Sequence, residues 1–160
     1  MCRIGASIYN NGYVAANDGN ITCRIEDDRY LVTPTGISKG SLHPGMIALI
    51  DGEGHVLDGL YSPSSEYKVH LQVYAHRPDV RAVVHAHPPY RTAYAVAGLP
   101  LDHYMLPESV CGVRRVPLSH HALPGSPELA DSILPFFKDH NPLLLAHQRP
   151  VAIGKDLNPA

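Results

Sequence analysis

Two histidines separated by one residue, His85 and His87, are the pair whose type and spacing point most directly to chemistry. They stand in Val83-Val84-His85-Ala86-His87-Pro88. In an extended strand alternate side chains share a face, so both imidazoles can reach one metal ion. Zinc takes imidazole nitrogen readily, and a catalytic zinc uses about three protein ligands and keeps one position open. Val83 falls on the same face, so the histidines extend a buried stripe. Pro88-Pro89 end the strand and leave the pair at its mouth. Taken alone, His-x-His also describes two polar residues at a strand end; the flanking stripe raises the metal reading.

Upstream, Pro63-Ser64-Ser65-Glu66 opens a helical pattern. The first N–H groups of a helix have no intrahelical partner, and its dipole favours anions such as phosphate. Ser64 and Ser65 add hydroxyl donors. Glu66, expected in the first turn, can reach a nearby metal or carry a proton. A helix cap with a dipole-friendly glutamate is the plainer reading of this motif by itself. Asp18-Gly19-Asn20 and Thr33-Pro34-Thr35-Gly36 read as further anion-binding turns, since glycine lets backbone approach a ligand closely. Either alone is equally ordinary turn chemistry.

These residues need elements to position them. Ile4 and Ile8, one helical turn apart, predict a helix through about Tyr9, stopped by Asn10-Asn11-Gly12. Ile21 to Ile25 and Tyr30 to Thr33 predict a hairpin around Glu26-Asp27-Asp28. Met46 to Ile50 reads as a strand, Ser65 to His76 as a helix, and Arg81 to His87 as a strand. Arg91 to Ala97 and Pro127 to Phe137 read as helices, Leu143 to Ala146 and Val151 to Ile153 as final strands. The mixture predicts an α/β domain with one sheet covered by helices.

Composition narrows the function classes. A chain of 160 residues with 44% apolar content fits one globular domain. A formal net charge of -2 argues against nucleic acid or an acidic membrane surface as partner. Three widely spaced cysteines, with no CxxC, suit a reducing compartment rather than a disulfide framework. No signal-peptide pattern opens the chain, and no stretch reaches the ~20 apolar residues of a membrane span. A cytoplasmic protein is therefore expected. Eleven histidines is a high count, but only the spacing at 85 and 87 gives it meaning.

The ordered segments GNITCR (19–24), TPTGISKG (33–40), PSSEYKVHLQVY (63–74), RPDVRAVVHAH (77–87) and HYMLPE (103–108) together resemble the class II aldolase/adducin family. PGSPELADSI (124–133) and LLLAHQRPVAIGKDL (143–157) continue the likeness over nearly the whole chain. Within the family the chain looks most like the L-fuculose-phosphate aldolase branch. That resemblance implies a three-layer α/β/α sandwich with a mixed, mostly antiparallel sheet, and a homotetramer with sites between subunits. It implies one zinc ion per subunit on His85 and His87, with Glu66 as proton carrier and possible ligand. It implies that Asn20, Thr35, Gly36, Ser64 and Ser65 hold the phosphate of a sugar substrate. Tyr104 would reach the aldehyde end in a neighbouring site. Glutamate at position 66 favours the aldolase side over the epimerase branch, which resembles it with aspartate there.

The family's third zinc histidine falls in a segment that here reads His147-Gln148-Arg149. Aligned without gaps, the ligand position holds Gln148, and a one-residue shift in a strand turns His147 to the other face. His147 reaching the metal through a bulge, Glu66 completing the site, and weakened zinc binding with loss of activity are the three outcomes left open. His120 and His121 point oppositely if extended, so one at most could substitute, and an exposed loop is the plainer reading. Arg114 and Arg115 read as a solvated basic pair. The family usually continues past the point corresponding to Ala160 into further helices. The expected activity is cleavage of a ketose 1-phosphate such as L-fuculose 1-phosphate to dihydroxyacetone phosphate and an aldehyde. A 3-oxo-tetronate 4-phosphate decarboxylase and a non-catalytic adducin-like domain are the alternatives.

Overall fold

A hairpin and the strand laid against it set the positions of everything near the histidines. A computed structural model of the chain describes residues 1–101, 116–119, 132–133, 135–136, 141–145 and 150–157. The elements are α1 (Cys2–Asn10), β1 (Asn20–Glu26), β2 (Arg29–Val32), β3 (Ala48–Ile50), β4 (Val56–Asp58), α2 (Tyr67–His76), β5 (Ala82–His85), α3 (Pro89–Val96), β6 (Pro142–Leu143) and β7 (Val151–Gly154). The strands form one sheet in the order β4-β3-β2-β1-β5-β7-β6. Every pairing between these strands is antiparallel; among the described residues the parallel contribution is a single bridge between Leu118 and Leu144. The α/β class and the mostly antiparallel sheet agree with expectation.

Strand alternation divides the sheet into two faces. Val83 lies against α2 in a buried cluster with Val32, Ile50, Val69, Val73, Tyr74, Val151 and Ile153. Burying each such side chain contributes about 1.5–3 kcal/mol. Ala82, Val84 and Ala152 alternate to the other face, where they line a cavity together with Ile4 and Ile8 of α1. The Ile4/Ile8 spacing thus faces that cavity from α1. Among the described residues no helix is long and apolar enough to cross a membrane.

Several boundaries differ from expectation. Helix α2 begins at Tyr67, so Ser65 and Glu66 precede it, and Glu66 takes the capping position instead of the first turn. Strand β5 ends at His85, which leaves His87 beyond the ladder. Pro44–Met46 forms a single tight turn before β3, because proline fixes φ and cannot donate to a ladder. Helix α3 starts at Pro89, two residues earlier than expected, since proline suits the first helical position. The short edge strand β4 has no residue buried, which is why no apolar pattern announced it.

A polar column runs between β1 and α2. Thr22 Oγ1 lies 2.9 Å from His70 Nδ1 and 2.8 Å from the Tyr74 hydroxyl. Burial, with a smaller push from His85, lowers the His70 pKa from 6.5 to about 3. Burial also raises the Tyr74 hydroxyl, so both groups stay neutral. The sign of the His70 effect on stability follows directly. As pH falls below 6.5 the unfolded imidazole takes a proton that the folded one refuses until about pH 3. Stability present above pH 6.5 is therefore lost across that window, by up to ~1.4 kcal/mol per pH unit. His70→Gln keeps a polar group toward Thr22 and is expected to flatten this slope. Melting temperature against pH for both proteins checks it; equal slopes would refute it.

Candidate active site

The register of β1 on β5 pairs Asn20 with His85. Cross-strand partners share a face, and this face looks toward the start of α2. Asn20 Nδ2 donates to Glu66 Oε2 at 2.5 Å, and His85 Nε2 stands 3.7 Å from the same oxygen. The His85 side chain is 7% exposed and that of Glu66 40%, so the carboxylate links a buried imidazole to open space. Asn20 Oδ1 is buried with no hydrogen-bond partner. Such an orphaned acceptor is costly unless a ligand or water satisfies it.

His87 reaches the same region by a different route from strand alternation. Its backbone N–H donates to Tyr13 O, and its Nδ1 lies 3.1 Å from Asp18 Oδ2. The His85 and His87 rings sit edge to face with centroids 5.5 Å apart. A carboxylate on one ring nitrogen fixes the tautomer and strengthens the other nitrogen as a ligand. The turn carrying Asp18 approaches because residue 19 is glycine. Its φ is +73°, and a Cβ there would stand 2.7 Å from Val14 Cγ1 and 2.8 Å from the His85 carbonyl.

The turn at 33–36 and the serine-bearing segment before α2 lie side by side. Thr35 N–H donates to Ser62 O, and Ser64 N–H donates to Thr33 O, both at 3.0 Å. The Thr33 hydroxyl accepts from Ile21 N–H at 3.0 Å, which anchors this pair of segments to β1 beside Asn20. Thr35, Gly36 and Ser65 are exposed and Ser64 is half-buried. Gly36 has φ +70°, and the space where its Cβ would stand is open for 4 Å. Asn20 gives one of its two amide hydrogens to Glu66 and keeps the second for an anion.

Among the described residues, no three His, Cys, Asp or Glu side chains are closed around a metal position. The donors that do gather, two imidazoles and the Glu66 carboxylate, are nonetheless of the kind zinc accepts. The orphaned Asn20 Oδ1 adds an acceptor beside them that a hydrated cation or a substrate hydroxyl would satisfy. The donor set thus fits zinc in kind. His147 and Gln148 lie outside the described residues, as do Tyr104, Arg114, Arg115, His120 and His121.

Two residues near this site were not singled out from the sequence. Asp18 was read as turn chemistry, although a carboxylate in an anion-binding turn signals that it serves something else. Lys39 is 1% exposed, and nothing in TPTGISKG announces a buried lysine.

Comparison with known proteins places this geometry in context. The family described as Class II Aldolase and Adducin N-terminal domain matches residues 1–160. The chain is 34% identical over 165 residues to a 3-oxo-tetronate 4-phosphate decarboxylase from Haemophilus influenzae, covering 98% of this chain and 76% of that protein. It is 37% identical over 144 residues to a 5-methylthioribulose-1-phosphate/5-deoxyribulose-1-phosphate aldolase from Rhodospirillum rubrum, covering 89% of this chain and 63% of that one. The solved structure of an L-fuculose 1-phosphate aldolase superposes with a TM-score of 0.87 at 28% identity, over 98% of this chain and 74% of that one. A sheet of seven strands among the described residues, a family match over residues 1–160 and a like fold in a solved structure leave one assignment: the chain belongs to the class II aldolase and adducin family.

Proposed function

We propose that this chain is a metal-dependent carbon–carbon lyase acting on a phosphorylated keto sugar or keto sugar acid. The observation that carries the proposal is Glu66 Oε2 at 3.7 Å from His85 Nε2, with the His87 ring edge to face on His85. His85 and His87 would hold zinc, with Glu66 or His147 completing the set. A zinc ion bound there supplies Lewis-acid polarisation of a carbonyl oxygen and stabilises negative charge on it. Asp18 orients the His87 ring, and the Asn20 amide aims the Glu66 carboxylate. The hydroxyls of Thr35, Ser64 and Ser65, with the backbone N–H groups of Gly36 and Ser65, hold the substrate phosphate, since the Thr35 and Ser64 N–H groups join the two segments. Binding energy from that remote group positions the bond to be broken. Glu66 carries the proton.

Decarboxylation of a 3-oxo-tetronate 4-phosphate is the first reading, supported by the relative that spans 98% of the chain under that name. The C1–C2 bond breaks, carbon dioxide leaves, and its electron pair remains as the enediolate over C2 and C3. One proton returned to C2 gives dihydroxyacetone phosphate. This reverses the order set by the motifs, which put aldol cleavage first. Aldol cleavage of a ketose 1-phosphate remains the second reading, supported by the aldolase at 37% identity. There the C4 hydroxyl gives up a proton, the C3–C4 bond breaks to release an aldehyde, and C3 takes a proton. Both routes pass through the same enediolate, so one site serves either. The homotetramer implied by the resemblance and the reducing, cytoplasmic setting read from the cysteine spacing belong to this proposal.

The test gives zinc-loaded protein both substrate types and measures carbon dioxide, aldehyde and dihydroxyacetone phosphate. Carbon dioxide without aldehyde supports the first reading, and aldehyde without carbon dioxide the second. Neither product from either substrate would overturn the lyase proposal.

A further inference from the structure

Lys39 has no part in the chemistry derived above, yet it is among the most deeply buried charged side chains described. It opens the single-turn helix Lys39–Ser41 and is 1% exposed. Removing an ammonium from water is expensive unless its donors are satisfied. Its Nζ donates to Ile37 O at 2.7 Å and to Asn17 O at 3.2 Å. These acceptors belong to two different segments. Ile37 directly follows Gly36 in the open turn, and Asn17 directly precedes Asp18, the partner of His87. One side chain therefore ties together the segments that carry Asp18, Asn20, Thr35 and Gly36.

The backbone of Lys39 is itself fixed. Gly5 of α1 lies so close that a Cβ there would stand 2.7 Å from Lys39 O. Burial lowers the lysine pKa, and the nearby charges of Asp18 and Glu66 push it back up. The ammonium thus lies within electrostatic reach of both carboxylates of the site. Two carbonyl bonds occupy two of the three ammonium donors.

We propose that Lys39 is a positioning residue for the anion pocket, its buried ammonium fastening the Asn17–Asn20 segment to the Thr35–Ile37 turn and holding a fixed positive charge behind them. The inference rests on the phosphate pocket of the preceding section. A neutral side chain of the same length would leave two carbonyls without a donor and the turns without a tie. It would also remove the positive charge that draws a phosphate dianion to the turn. A role confined to folding would lower stability without selecting for the anion.

The experiment measures inorganic phosphate binding by calorimetry on zinc-loaded wild-type protein and on Lys39→Met. The expected result is a weakening of about tenfold to a hundredfold, the range for losing a charge-assisted interaction. KM for the phosphorylated substrate should rise in parallel, while kcat and zinc content change far less. Unchanged phosphate affinity in folded Lys39→Met would overturn the proposal. A second measurement needs no variant: the Nζ resonance of Lys39 in 15N-labelled wild-type protein, followed through a phosphate titration. It should shift together with the amides of 18–20 and 35–37, and a silent Nζ at saturating phosphate would refute the tie. Wild-type protein that binds no phosphate would bring down both the pocket and this inference; binding without a response from Lys39 brings down the inference alone.

Discussion

His85→Ala is expected to strip the protein of its metal and its activity together. Wild-type protein should carry about one zinc ion per chain, and the variant a small fraction of that. Turnover should fall by roughly a thousandfold or more, because both cation and carbonyl polarisation go with the imidazole. The side chain explains the size of the effect. It is buried, pairs across the ladder with Asn20, stands 3.7 Å from Glu66, and packs edge to face on His87. No other described imidazole can replace it, since His70 is committed to Thr22 lower in the column. Metal analysis and turnover measured on one preparation decide the matter. A variant that retains both metal and turnover would remove His85 from the site.

Glu66→Gln is expected to separate proton transfer from metal binding. Glutamine has the same shape and can still accept from the Asn20 amide, so the segment before α2 should keep its place. It cannot take up and return a proton at neutral pH. Turnover should drop about 10²–10⁴-fold, the usual worth of a positioned acid–base group. Zinc content should hold, since both imidazoles remain, and phosphate affinity should stay near the wild-type value. Loss of zinc in Glu66→Gln would make the carboxylate an indispensable ligand. Undiminished turnover would show that the proton travels elsewhere.

The fold was legible where side-chain pattern reports burial. The two-residue alternation through Val83 and His85 marked β5 and its inner face, and the Ile4/Ile8 spacing marked α1. Edge strand β4 was silent because Val56, Leu57 and Asp58 are all exposed, so burial imposed no alternation. The exact start of α2 was also out of reach, since Ser64, Ser65 and Glu66 suit a cap and a first turn alike.

For the site, the sequence by itself determined the chemical inventory and the family. It gave two imidazoles, a carboxylate and glycine- and serine-bearing turns, in an order that residues 1–160 share with the class II aldolases. Only the tertiary structure decided who holds whom. His87 lies past the end of β5 and is aimed by Asp18, 69 residues earlier, and not by strand alternation. Asn20 turns its amide to Glu66, 46 residues away. Lys39 is buried beneath turns that it appears in sequence merely to follow. The reason is physical. Local pattern records which face a residue presents to water, whereas hydrogen bonds between distant segments depend on register and on how closely backbones approach, and those exist only once the sheet has formed.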